Sequence, residues 1–343
     1  MNPKRAIASL ALAAVLLSGM TAPAGAYHLA QEIKLPGAEG WDYLTFDAPR
    51  ARLFVAHGTH VEVLNTATLA PAGAIADTPG VHGVAIADPL GHGYVSAGGA
   101  SSIVVFDLQS LGRLAEIKTT GDNPDAILYE PMTHRVFAFN GRGRNVTAVA
   151  TANNEVVGTI ELDAKPEFAV HDGSGHVFVN LEDRNSLAEI NARTLAVTAT
   201  WPLAGCEEPT GLAIDRLHHR LFAACSNKVM AIVDSITGHS IAQMPIGGRV
   251  DGAAFDAEKQ LAFASGGDGT LTVIREETPD KFTVAETVAT KPGARTLTLD
   301  EQTHRIFLAT GQRNVAGTFE VLSWSPDGST DFWNRLSRNG LTM

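Results

Sequence analysis

The sequence predicts an all-β fold, a seven-bladed β-propeller with four-stranded blades. An acidic residue recurs every 41 to 44 positions, at Asp47, Asp88, Glu130, Asp172, Asp215, Asp256 and Asp300. Each lies between two short apolar strands, as in Leu212-Ala213-Ile214 and Leu221-Phe222-Ala223-Ala224. A strand-based internal repeat in the low forties is typical of propeller blades. Helical periodicity is absent after residue 26, except near Phe332–Leu336.

Residues 1–26 have the pattern of a secretory signal peptide. Lys4 and Arg5 precede an apolar run from Ala6 to Leu17, and Ala24-Gly25-Ala26 is a small-residue cleavage site. We expect cleavage near Ala26 and a periplasmic or secreted protein. No later stretch is apolar over about 18 residues, so no membrane span is expected.

The blades then follow in order over residues 27–324, as one propeller. Blade 2 shows the pattern fully, with strands expected at Gly83–Asp88, Gly93–Ala97, Ser102–Asp107 and Arg113–Lys118. The last repeat has three strands, the third ending at Trp324, before Ser325-Pro326-Asp327-Gly328 breaks it. We expect the N-terminal strand, within Tyr27–Pro36, to complete this blade and remove the free edge. Residues 325–343 form a C-terminal tail.

Several third strands, such as Ile103-Val-Val-Phe-Asp-Leu and Val229-Met-Ala-Ile-Val-Asp, resemble those of the YncE-like family of exported YVTN-repeat propellers. Tyr94-Val95-Ser96-Ala97 is the nearest match to the family's Tyr-Val-Thr-Asn motif. The resemblance covers the whole chain after the signal peptide. It implies a binding or cell-envelope protein, and related propellers include lactonases and carriers of redox cofactors. No set of catalytic residues transfers by position.

Charge and motifs exclude several functions. The full chain has a formal charge of −11, and cleavage of the predicted signal peptide would make it more negative by removing two basic residues. A strong negative charge disfavours nucleic acid as a partner. There is no Cys-x-x-Cys-His for covalent haem c, and no phosphate loop or dinucleotide fingerprint for a nucleotide. The expected partners are a small polar or cationic ligand or an envelope protein, and we expect a monomer.

The two cysteines, Cys206 and Cys225, flank the hairpin of blade 5. In propeller topology the loops that carry them lie on the same face. A disulfide is the simplest interpretation in an oxidising compartment. Two free thiols or a metal-binding pair are the alternatives.

The strands nearest the axis all begin on one face, where ligands usually bind to propellers. Counting five residues back from each repeated acid gives Asp42, Gly83, Asp125, Glu167, Thr210, Asp251 and Arg295, with His82 beside the glycine. Crowded carboxylates raise one another's pKa unless a cation intervenes. Asp42, Asp125, Glu167 and Asp251 are therefore candidate ligands for Ca²⁺ or another divalent cation, or for an amine. Ordinary solvated turn residues are the simpler alternative.

The second strand of each blade ends on the same face, in residues that are nearly all small and polar. They are predicted to line the mouth: His57, Ser96, Asn140, Asn180, Cys225, Ser265 and Thr310. His57 and His82 are the candidates for a general base, because histidine titrates near neutrality.

These candidate residues are consistent with two functions. The first is a non-catalytic binding protein that presents the acidic mouth to a small ligand, a cation or a partner protein. The second is a metal-dependent hydrolase of lactonase type, in which a cation at the same mouth would activate water. The absence of a nucleophile motif favours binding, and the number of titratable groups favours the enzyme.

Overall fold

The computed structural model describes residues 26–327 and contains seven antiparallel four-stranded sheets. Residues 1–25 of the predicted signal peptide and all but the start of the tail predicted at 325–343 lie outside the described residues. The strands nearest the axis are β2 (Trp41–Asp47), β6 (Val81–Ala87), β10 (Pro124–Glu130), β14 (Pro166–His171), β18 (Pro209–Asp215), β22 (Val250–Asp256) and β26 (Thr296–Asp300). Each contacts its neighbour in the next blade, and β26 contacts β2, so the sheets form a closed ring.

Each blade continues outward through strands joined by hairpins. The second strands are β3 (Arg52–His57), β7 (His92–Ala97), β11 (Arg135–Asn140), β15 (His176–Leu181), β19 (Arg220–Cys225), β23 (Leu261–Gly266) and β27 (Arg305–Thr310). The third strands are β4 (His60–Asn65), β8 (Ser102–Asp107), β12 (Asn145–Ala150), β16 (Ser186–Asn191), β20 (Val229–Asp234), β24 (Thr270–Thr278) and β28 (Glu320–Pro326).

The outer strands complete the blades: β5 (Pro71–Ile75), β9 (Arg113–Lys118), β13 (Glu155–Glu161), β17 (Ala196–Pro202), β21 (Ser240–Pro245), β25 (Lys281–Ala289) and, in blade 7, β1 (Tyr27–Lys34). Three short 3-10 helices lie at Asp88–Leu90, Gly98–Ala100 and Glu182–Arg184. The predicted closure is confirmed, because β1 pairs antiparallel with β28. β28 extends to Pro326, two residues beyond the predicted end of that strand, because Tyr27 and His28 pair with Pro326 and Ser325.

The second strand of each blade carries an aromatic ring at the same position, and these rings fill the space between the sheets. These rings are Phe54, Tyr94, Phe137, Phe178, Phe222, Phe263 and Phe307, each exposed by 2% or less. Burying such a side chain stabilises the fold by roughly 2–3 kcal/mol relative to exposure. The hydrophobic core is therefore divided into clusters that lie between neighbouring blades.

The repeated acids have a structural role in the hairpin turns. The Glu130 carboxylate accepts hydrogen bonds from the backbone N–H groups of Met132 and Thr133, and Asp256 accepts them from Glu258 and Lys259. Such side-chain acceptors satisfy turn donors that the sheet leaves unpaired. The repeat that reveals the fold therefore comes from turn chemistry rather than from a binding site.

Candidate functional site

Each blade has one residue at the corresponding position at the start of its innermost strand. These axial residues are Asp42, His82, Asp125, Glu167, Thr210, Asp251 and Arg295. Six of the seven are the positions counted from the sequence. Blade 2 differs, because β6 ends at Ala87 and Asp88 belongs to the following 3-10 helix, which shifts the count by one. His82, and not Gly83, is the axial residue there.

Two cations connect three of the four axial carboxylates. The His82 Nδ1 lies 2.7 Å from an Asp42 oxygen and 3.4 Å from an Asp125 oxygen. On the other side of Asp42, the Arg295 Nε donates to Asp251 at 2.7 Å, and its Nη2 lies 3.5 Å from Asp42. A chain of alternating charges thus runs through blades 6, 7, 1, 2 and 3.

The fourth carboxylate, Glu167, has a separate partner that sequence analysis missed. The Lys165 ammonium lies 2.6 Å from Glu167 and also contacts Glu182 in the next turn of the same blade. Lys165 precedes β14 and lies two residues before Glu167. Side chains two residues apart in an extended chain lie on the same side, so Lys165 lies beside Glu167. A basic residue two positions before an axial acid is the signal that could have identified it.

Tyr43 also contacts an axial carboxylate, and sequence analysis missed it. Its hydroxyl lies 3.3 Å from Glu167, so a side chain of blade 1 reaches a residue of blade 4 across the ring. The ring packs edge-on against Phe168, with centroids 5.0 Å apart, and the side chain is buried. Tyr43 therefore packs as a buried aromatic ring against the axial carboxylates.

Burial and crowding shift the protonation of the mouth. Burial raises the pKa of Asp125 to about 7 and that of Asp251 to about 6, with Asp42 adding to both shifts and His82 or Arg295 opposing them. Burial lowers the pKa of His82, but Asp42 and Asp125 outweigh it and raise the value to about 9. His82 is therefore cationic at neutral pH.

The Lys165–Glu167 pair has opposing tendencies. Burial and Asp125 raise the pKa of Glu167, whereas the pKa of Lys165 is raised by Glu167, which requires the carboxylate to be ionised. The 2.6 Å contact favours the charged pair, since a neutral acid would leave the ammonium with a weaker acceptor.

The candidate metal ligands are only partly brought together. Asp42, His82 and Asp125 offer ligand atoms within 4.8 Å of one another. Glu167 and Asp251 join no such three-donor group within residues 26–327, because each has its own cation. The arrangement resembles a partly neutralised charge network more than a cage of four carboxylates.

Polar residues near the ends of the second strands, together with Thr210 of β18, fasten blades to one another. Asn180 Nδ2 donates to the carbonyls of Thr210 and Gly211, and Thr210 Oγ1 donates to that of Val250. Similar bonds run from Ser96 to Asp125 and from Ser265 to Arg295. These side chains hold the axial strands in register around the ring.

Asn140 and His57, which were predicted to line the mouth, make contacts away from the axial charges. Asn140 is fully buried, and its Nδ2 donates to Asn145 and Thr147 within blade 3. The His57 ring stacks on Phe319 of blade 7, with centroids 4.0 Å apart. His82 is therefore the histidine that the fold brings to the mouth.

The predicted disulfide is confirmed. Cys206 and Cys225 are bonded, with their Cα atoms 5.5 Å apart, and both are buried. The bond joins the loop before β18 to the end of β19, on the face that carries the mouth.

Fold and site together define a seven-bladed β-propeller with a network of charged side chains at the start of its innermost strands. No known family model matches the sequence, and no curated protein sequence is similar to it. Membership of the YVTN-repeat family therefore stays a prediction. Within residues 26–327, no helix is long and apolar enough to span a bilayer.

Solved structures share the architecture. The WD40 repeats of RRP9 superpose with a TM-score of 0.74 at 9% identity, over 85% of this chain and 97% of that one. Kuenenia stuttgartiensis hydrazine synthase gives 0.72 at 15% identity, over 83% and 96%. U3-55K gives 0.71 at 10% identity, over 85% and 98%. Identities this low show the fold alone.

Proposed function

We propose that this chain is an exported binding protein whose axial mouth receives a small polar ligand with a cationic group. The observation that carries the proposal is the convergence of Asp42, Asp125, Glu167 and Asp251 from four blades, with the Tyr43 hydroxyl bonded to Glu167. An ammonium group placed among these oxygens would relieve their mutual repulsion and gain charge-assisted hydrogen bonds.

An acidic cleft at the rim supports the same ligand class. It encloses about 590 Å³ between blades 4 and 5 and is lined in part by Glu182, Asp183, Glu207 and Glu208. Glu182 also contacts Lys165, the partner of Glu167, so the cleft adjoins the axial charges. Negative potential over both regions would steer a cation toward the mouth.

Export is supported by the signal-peptide pattern in residues 1–26 and by the disulfide, which persists in oxidising compartments. The lactonase alternative has less support. Within residues 26–327, Asp42 and Asp125 share a three-donor group with His82, whereas Glu167 and Asp251 join none, so the four carboxylates do not form one metal cage.

The proposal is tested with three four-carbon probes that differ in charge. Putrescine, 1,4-butanediol and succinate are titrated into the mature protein by calorimetry, with thermal unfolding as a second readout. We expect saturable binding of putrescine alone, and Asp125→Asn should weaken it about tenfold, as expected for loss of one charged hydrogen bond. Glu155→Gln, on an exposed outer strand, is the matched control. Equal affinity in D125N, or equal binding of the diol, would contradict the proposal.

A further inference from the structure

The first hairpin of blade 1 places three metal-binding side chains on one face. His57 ends β3 and His60 begins β4, and the two are direct cross-strand partners around the turn Gly58-Thr59. Glu62 follows His60 by two residues, so it lies on the same face of the strand. The ligand atoms of His57, His60 and Glu62 lie within 4.8 Å of one another.

His57 has no hydrogen-bond partner to explain its burial. The side chain is fully buried, and both ring nitrogens lack a partner. Leaving a buried polar group unpaired costs about 1–3 kcal/mol, so a site that keeps such a group has a use for it. Stacking on Phe319 holds the ring plane in place, which fixes the direction of its nitrogen lone pair.

Glu39, from the loop between β1 and β2, covers the hairpin. Its Oε2 lies 3.7 Å from the His57 Nε2. Its Cβ lies so close to Gly58, at φ +59°, that a side chain at position 58 would meet it at 2.3 Å. The Gly58 N–H also donates to the Gly40 carbonyl at 2.8 Å, which fastens the loop over the turn.

We propose that the His57–His60 hairpin is a Zn²⁺ site, with His57, His60 and Glu62 as ligands and Glu39 or water in the fourth position. Two imidazoles and a carboxylate are a common zinc donor set. Zinc–ligand bonds of about 2.0–2.1 Å require tetrahedral donors about 3.4 Å apart. His60 Nε2 and Glu62 already lie 3.0 Å apart, so rotation of two partly exposed side chains suffices to complete the site.

Two further groups of donors in residues 26–327 contain no buried imidazole that lacks a hydrogen-bond partner. Asp42, His82 and Asp125 belong to the axial mouth and already share a hydrogen bond. In blade 5, the His218 Nδ1 lies 2.6 Å from Asp215 and 2.9 Å from Glu276. His218 is therefore hydrogen-bonded to a carboxylate, whereas neither nitrogen of His57 has a hydrogen-bond partner, and the Glu39 carboxylate stays 3.7 Å from its Nε2.

The surroundings of the hairpin leave the site open to solvent. His60 and Thr59 line a cleft of about 520 Å³ that Asp77, Arg113 and Glu116 also border. Of the three proposed ligands, His60 borders this cleft, so solvent reaches the hairpin from that side. The site is separate from the axial mouth, so its existence does not depend on the proposed function.

The test measures zinc binding by the mature protein after chelator treatment and dialysis. Zn²⁺ is titrated against a chromophoric competitor, and Co²⁺ substitution reports four-coordinate geometry through its visible absorption. We expect one ion per chain, with His60→Gln and Glu62→Gln each lowering affinity at least tenfold. Both residues are partly exposed, so these variants should fold. His239→Gln, an exposed histidine in another blade, and His218→Gln should bind as the wild type does.

Three results would overturn the proposal. The first is the absence of binding at micromolar Zn²⁺ by the wild-type protein. The second is full affinity in both H60Q and E62Q, and the third is loss of the ion in H218Q instead. A Co²⁺ spectrum that disappears in H60Q but persists in H239Q would place the ion at the hairpin.

Discussion

At the scale of single residues, protonation of His82 makes the stability of the fold depend on pH. Its folded-state pKa of about 9 exceeds the ordinary value of 6.5. The stabilisation from its protonation is therefore complete below about pH 6.5 and is lost as pH rises through 9. Asp125 acts in the same direction. Its pKa of about 7 means that the folded state retains a proton that the unfolded chain loses near pH 4, so stability falls as pH rises toward 7.

His82→Gln should flatten the pH dependence of stability. At pH 6 the wild type should exceed the variant by at most about 3 kcal/mol, which corresponds to the pKa shift. Near pH 10 the difference should shrink, because both proteins then lack the cation. Urea unfolding at the two pH values measures this, with His239→Gln as a control that keeps the wild-type slope. Parallel curves for wild type and H82Q would show that Asp42 and Asp125 do not hold the proton on His82.

At the scale of elements, the disulfide restrains blade 5. The loop from Cys206 to Cys225 spans the whole innermost strand β18 and ends with the second strand β19. A closed loop of this size reduces the entropy of the unfolded chain, which stabilises the folded state by about 3 kcal/mol. Neighbouring blades pack on β18 through their own strands, so the ring should survive without the bond.

Reduction should therefore lower the free energy of unfolding by about 3 kcal/mol without changing the far-ultraviolet circular dichroism. The chain has two cysteines, so a reductant acts on this bond alone. The double variant C206A/C225A is the comparison and should not respond to reductant. An unfolding midpoint that is the same with and without reductant in the wild type would contradict the assigned role.

At the scale of the whole molecule, the N-terminal strand closes the ring. β1 pairs with β28 from Tyr27 to Lys34, and it provides the outer strand of blade 7. Tyr27 packs on Phe263 of blade 6, and its hydroxyl donates to the His304 carbonyl at 3.0 Å. The first and last segments of the described chain thus hold one another in place.

A chain that starts at residue 35 should lose this closure, whereas one that starts at residue 26 should retain it. Loss of Tyr27 burial alone removes roughly 2–3 kcal/mol, and β28 becomes an unpaired edge that can pair with other chains. Size-exclusion chromatography and urea unfolding of the two chains measure the effect. A monomeric shorter chain of equal stability would show that β1 is dispensable.

The sequence by itself determined the number of blades, their strand order and the closing strand, and it favoured a disulfide between the two cysteines. Turn acids and strand aromatics recur within each blade, so a local pattern carries that information. Only the tertiary structure decided which side chains meet at the axis. His82 lies beside Asp42, Lys165 lies beside Glu167, and the Tyr43 hydroxyl reaches Glu167 from another blade. It also showed that Asn180 and Thr210 fasten blades together. These contacts join residues up to 124 positions apart, and they depend on the radius of the ring and the reach of each side chain, which no repeat encodes.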